Sequence, residues 1–126
     1  MAHTPKILVA DDDVELLAIV VRHVKTLKCD IVQASDGLDA LKKIRESKPD
    51  LVILDVMMPG LSGWEVAKRL RDDENLRGTK VLIMTGIGEG LNAMTSPLYG
   101  ADATLDKPFE FKQLDETLHR ILPWWK

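Results

Sequence analysis

Four short apolar runs punctuate the chain, Ile7 to Ala10, Ile31 to Ala34, Leu51 to Leu54 and Val81 to Met84, and a weaker fifth spans Ala101 to Leu105. Runs of this length, rich in Val, Ile and Leu, predict strands. Between them, apolar residues recur at helical spacing: Val14, Leu17, Val21 and Val24; Leu38, Leu41 and Ile44; Val66, Ala67 and Leu70; and Phe111, Leu114, Leu118, Ile121 and Leu122. Each set predicts a helix that turns one apolar face to a core. Asp12 with Glu15 marks the start of the first helix, Pro49-Asp50 separates the second from the third strand, and Pro123 stops the last. Strands alternating with helices predict parallel pairing.

The runs differ in polarity. Leu51 to Leu54 and Val81 to Met84 are wholly apolar, as strands buried on both faces should be, whereas Ile31-Val32-Gln33-Ala34 and Ala101-Asp102-Ala103-Thr104-Leu105 carry polar groups. The second and fifth strands are therefore expected at the edges. That fits a five-stranded parallel sheet in the order 2-1-3-4-5, the α/β flavodoxin-like doubly wound (βα)5 fold, with right-handed crossovers placing helices on both faces. One stretch resists this pattern: Gly86, Gly88, Gly90 and Pro97 fall where a helix should join the fourth and fifth strands. Glycine costs a helix roughly 1 kcal/mol and proline about 3, so a short, mobile helix is expected over residues 86–98.

Composition narrows the function. At 126 residues the chain reads as one domain, residues 1–126, with no output domain, and 45% hydrophobic with 29% charged residues is the balance of a self-folding globular protein. A net charge of −3 without a Lys/Arg cluster argues against direct nucleic-acid binding. No apolar run approaches the roughly 20 residues that cross a bilayer, and no signal-peptide core follows Met1. Cys29 is the only cysteine, so no disulfide closes within the chain, and a cytoplasmic location is expected. His3, His23 and His119 have no metal-ligand spacing and are assigned to the surface without a role. Phe109 and Phe111 are read as core residues. Trp124 and Trp125 either cover the core or, if exposed, anchor a partner or a dimer.

The polar residues gather where the predicted strands end. Asp11, Asp12 and Asp13 follow the first strand, Asp55 the third, Thr85 the fourth, and Asp106-Lys107-Pro108 the fifth. Ligands of an open α/β sheet bind at the carboxyl ends of its strands, where the winding reverses, here between strands one and three. Asp11, Asp12 and Asp55 should converge there. Clustered carboxylates repel one another unless their pKa values rise or a cation neutralises them, and an all-oxygen donor set suits Mg²⁺, with Mn²⁺ an alternative. A carboxylate can attack phosphorus to give an acyl phosphate, with an ammonium offsetting charge on the transferring oxygens. Asp55 is placed as that nucleophile and Lys107 as that cation, and the Thr85 hydroxyl can bond a phosphoryl oxygen. Singly, each Asp would be an ordinary turn former or helix cap, so the joint pattern carries the reading.

Three segments, Ile7-Leu8-Val9-Ala10-Asp11-Asp12-Asp13, Asp50-Leu51-Val52-Ile53-Leu54-Asp55-Val56-Met57-Met58-Pro59-Gly60-Leu61-Ser62-Gly63 and Lys107-Pro108-Phe109, resemble the motifs of response regulator receiver domains. The resemblance covers essentially the whole chain. It implies a two-component signalling switch, not a conventional enzyme, that takes a phosphoryl group onto Asp55 and promotes its own phosphorylation and dephosphorylation. Asp11 and Asp12 would hold the metal with Asp55, Asp12 as a direct ligand, and the backbone carbonyl of Met57 would complete the protein ligands. Thr85 and Lys107 would bind the phosphoryl group. Implied partners are a sensor histidine kinase or phosphotransfer protein and a downstream protein target, for a monomer or a phosphorylation-dependent dimer. Receivers typically carry Tyr or Phe three residues before the lysine as a rotamer switch, and here Thr104 occupies that position.

Three rival readings fare worse. A haloacid-dehalogenase-like phosphatase needs an Asp-x-Asp-x-(Thr/Val) signature, which fails at Glu15 and leaves Asp55 unexplained. A flavodoxin-like cofactor binder needs a phosphate-cradling loop after the first strand, where three aspartates would repel a phosphate. A receiver-like scaffold that signals without phosphorylation does not need the complete Asp, Thr and Lys set.

Overall fold

A computed structural model describes residues 4–86 and 100–125. The elements in chain order are β1 (Lys6–Ala10), α1 (Val14–Lys25), β2 (Asp30–Ala34), α2 (Gly37–Ser47), β3 (Leu51–Asp55), α3 (Gly63–Asp72), a 3₁₀ turn (Glu74–Leu76), β4 (Lys80–Thr85), β5 (Ala103–Asp106) and α4 (Phe111–Ile121). All strand pairs are parallel and the sheet order is β2-β1-β3-β4-β5, the doubly wound arrangement expected. The short helix expected over residues 86–98 lies, beyond Gly86, outside the described residues. No helix among the described residues is long and apolar enough to cross a membrane.

Side chains alternate across a strand, so each central strand feeds two cores. Ile7, Val9, Leu51, Ile53, Leu82 and Met84 pack with α1 and α4, while Leu8, Ala10, Val52, Leu54, Val81 and Ile83 pack with α2 and α3. This is why Leu51 to Leu54 of β3 and Val81 to Met84 of β4 are all apolar. β2 and β5 lie at the edges and keep exposed positions, as their polar residues require. Trp125 closes the first core at 4% exposure and donates its indole N–H to the Leu27 carbonyl at 3.1 Å, whereas Trp124 is exposed. Trp125 thus covers the core.

Several sequence expectations need correction. The cap of α1 is Asp13, which accepts from the amides of Glu15 and Leu16, and not Asp12, whose carboxylate is left to the site. β5 starts at Ala103 instead of Ala101, because Asp102 is held by tertiary bonds: its carboxylate accepts from the Val81 amide at 2.8 Å and from Arg71 at 2.7 Å. Val14, Leu38 and Phe111 fit the helical periodicity but are exposed. Each lies in the first turn of its helix, before the axis has settled over the sheet. His23 is not a bare surface residue. Its Nε2 donates a hydrogen bond to Asp115 Oδ1 at 2.7 Å and its ring stacks on Phe111 with ring centroids 3.9 Å apart, joining α1 to α4.

Candidate functional site

The site is built by the ends of β1, β3, β4 and β5. β1 delivers Asp11 and β3 delivers Asp55, since these strands are neighbours in register from Ile7 with Leu51 to Ala10 with Leu54. Asp11 is 1% exposed and Asp55 4%, while Asp12 is exposed. Asp11, Asp12 and Asp55 each offer a carboxylate oxygen, and these oxygens lie within 4.8 Å of one another. The expected convergence of the three carboxylates is therefore what the fold produces.

Behind β3 the chain turns back tightly. Gly60 has φ +83°, a conformation L side chains rarely adopt, and a Cβ on Gly63 would stand 2.4 Å from the Asp55 carbonyl oxygen. The Gly63 amide bonds the Val56 carbonyl at 3.0 Å, and Ser62 and Glu65 form a reciprocal capping box that starts α3. Met57 lies in this loop with an exposed side chain, so only its backbone is suited to the role implied for it.

β5 supplies the cation. Lys107 Nζ donates to Asp55 Oδ1 at 2.5 Å and lies 3.8 Å from Asp11 Oδ2. Asp11 Oδ1 accepts the Asp13 amide at 2.9 Å, but the buried Asp11 Oδ2 has no hydrogen-bond partner among the described residues. Burial pushes the Asp11 carboxyl up from 3.8 to about 6, opposed by the Asp13 amide, reinforced by Asp55, opposed by Lys107 and reinforced by Asp12. Among the described residues one ammonium thus pairs with two of the three clustered carboxylates, and a buried oxygen lacks a hydrogen bond. That donor set fits a hard divalent cation.

Thr85, at the end of β4, is 1% exposed. Its hydroxyl donates to Asp106 Oδ1 at 2.8 Å. Sequence reasoning placed Thr85 and Lys107 at the site and left Asp106 without a role. The pairing of Thr85 with Asp106 across β4 and β5 is visible only once the register is known. Thr104, at the position of the expected aromatic, is exposed. Beside Lys107 an apolar cavity of about 550 Å³ opens between α1 and α4, lined by Leu16, Ile19, Phe109 and Phe111 among others.

Residues 7–119 match the response regulator receiver domain family, and the chain belongs to it. Among its relatives, the alkaline phosphatase synthesis transcriptional regulatory protein PhoP of Bacillus subtilis is 36% identical over 93% of this chain and 48% of its own. The transcriptional regulatory protein CpxR homolog of Haemophilus influenzae is 38% identical over 93% of this chain and 50% of its own. The chain spans about half the length of these curated relatives. Among solved structures, the chemotaxis response regulator CheY4 of Vibrio cholerae superposes with a TM-score of 0.87 at 28% identity, covering 94% of this chain and 99% of that one. A response regulator from Chloroflexus aurantiacus gives 0.89 at 27% identity, over 96% and 99%. The chain is thus a receiver domain of two-component signalling, a class of signalling proteins and not of conventional enzymes.

Proposed function

We propose that residues 1–126 form one receiver unit that takes a phosphoryl group onto Asp55 from a sensor histidine kinase or phosphotransfer protein, in a Mg²⁺-dependent reaction that alters binding to a downstream protein. The observation that carries this reading is the cluster of Asp11, Asp12 and Asp55 within 4.8 Å, with Lys107 bonded to Asp55 and Asp11 Oδ2 without a hydrogen bond among the described residues. Asp11, Asp12, Asp55 and the Met57 carbonyl would hold the ion, and Mn²⁺ meets the same donors. Bound there, it would supply positive charge to the transferring phosphoryl oxygens.

The remaining work falls to the chain's own residues. An Asp55 carboxylate oxygen forms the new bond to phosphorus as the bond from phosphorus to the donor's imidazole nitrogen breaks. Lys107 follows the charge from the carboxylate to the phosphoryl oxygens, a short move for a flexible ammonium already at 2.5 Å. Thr85 then donates its hydroxyl to a phosphoryl oxygen. The cavity between α1 and α4 borders Lys107 and suits an apolar side chain of the protein donor. With Thr104 in place of an aromatic, the signal must leave by another route than a ring swinging inward.

Incubation with acetyl phosphate and Mg²⁺ tests the reading. Intact mass should show one phosphoryl group on the wild type and none on folded Asp55→Asn, and omission of the metal should prevent labelling. Equal labelling of Asp55→Asn would refute the assignment.

A further inference from the structure

In the resting chain the Thr85 hydroxyl is already engaged. It donates to Asp106 Oδ1 at 2.8 Å, from a residue that is 1% exposed to one on the exposed edge strand. The contact follows from register: Thr85 pairs with Asp106 across parallel β4 and β5, and the Lys107 amide bonds the Thr85 carbonyl at 2.6 Å just beyond. Side chains at paired positions leave the sheet on the same face, about 4.8 Å apart, so Thr85 meets Asp106 without rearrangement. A hydroxyl has one hydrogen to give, and an ionised carboxylate is a stronger acceptor than a neutral oxygen. Donation to Asp106 and donation to a phosphoryl oxygen on Asp55 are therefore mutually exclusive.

We propose that Asp106 is a latch on the switch hydroxyl: it holds Thr85 in the resting state and is displaced when Asp55 carries a phosphoryl group. The inference rests on the reading of Asp55 as phosphoacceptor and Thr85 as phosphoryl ligand. One anionic acceptor replaces another, so the exchange is close to balanced and modest interactions decide the population of the two states. It also supplies a readout that needs no aromatic at position 104. When Thr85 leaves, the Asp106 carboxylate on the edge strand loses its partner and becomes available to solvent or to a binding protein.

A double-mutant cycle tests the latch. Affinity for beryllofluoride, a phosphoryl mimic, is measured with Mg²⁺ on the wild type, Asp106→Ala, Thr85→Ala and the double variant, each checked for folding by circular dichroism. Asp106→Ala should bind the mimic about three- to tenfold more tightly, and the same change in the Thr85→Ala background should alter affinity less than about twofold. Asp106→Asn, which keeps an acceptor oxygen without the charge, should fall between wild type and Asp106→Ala. Equal tightening in both backgrounds would show simple relief of charge repulsion and overturn the latch, as would no tightening by Asp106→Ala when the wild type binds the mimic and is phosphorylated normally. A wild type that binds no mimic and takes no phosphoryl group would instead overturn the reading of Asp55, and the latch with it.

Discussion

Arg71 and Asp102 meet beside the first residues of β4 and β5, whereas Asp55, the last residue of β3, meets Lys107 just past the end of β5. Both are ion pairs about 2.5 to 2.7 Å long and partly shielded from solvent. Around Arg71 the polar groups are closely matched. Its guanidinium bonds the carbonyls of Gly100, Arg77 and Thr79 as well as Asp102, whose carboxylate also accepts the Val81 amide. Around Lys107 they are mismatched, with three carboxylates to one ammonium and a raised Asp11 pKa. The first arrangement joins α3, the turn before β4 and the start of β5. Among the described residues the second gathers more carboxylate than ammonium, as the site proposed for a cation and a phosphoryl group requires.

Mutations at the two clusters should therefore shift stability in opposite directions. The largest effect is expected for Arg71→Ala, which strands Asp102 and three carbonyls and should cost about 2–4 kcal/mol in chemical denaturation. A loss below about 0.5 kcal/mol would mean that the cluster does not hold the fold. Asp11→Asn should instead stabilise the metal-free protein by about 1–3 kcal/mol at neutral pH, by removing a carboxylate that burial disfavours. The pH dependence has a definite sign. Because the folded state holds the Asp11 proton more tightly than the unfolded chain, wild-type stability falls as pH rises from about 4 to about 6. The advantage of Asp11→Asn should be small below about 4 and complete above about 6, measured in EDTA. The smallest effect is expected for Lys80→Ala. Lys80 Nζ is 4.0 Å from Asp102 with a side chain 45% exposed, so its loss should change stability by less than about 0.5 kcal/mol.

The comparison also shows what a sequence can and cannot reveal. Sheet order was legible because β3 and β4 carry no polar residue between their terminal positions while β2 and β5 do, and burial on two faces tolerates little else. The site was legible because Asp11, Asp55, Thr85 and Lys107 sit where the predicted strands stop, and the fold brings those ends together. Arg71 was invisible: an arginine in the last turn of an amphipathic helix is ordinary, and only tertiary packing gives it Asp102 and three carbonyls. The same holds for His23, whose partners Phe111 and Asp115 are distant in sequence. Asp102 read as a strand residue because local pattern cannot show that its carboxylate is bonded to β4 and α3. Asp106 had no role until register set it beside Thr85. Val14, Leu38 and Phe111 misled because periodicity counts residues in a first turn that has not yet reached the sheet.

The central claim is that the clustered carboxylates serve a divalent cation, and thermal unfolding with and without Mg²⁺ tests it most directly. At about a hundredfold excess over its dissociation constant, a ligand bound only by the folded state adds about 2.7 kcal/mol. Wild type should therefore unfold several degrees higher in Mg²⁺ than in EDTA. Asp12→Ala and Asp11→Asn should lose most of that increment, while Lys80→Ala, which alters only the other cluster, should keep it. No Mg²⁺-dependent rise in the wild type, or an equal rise in all four proteins, would contradict the account.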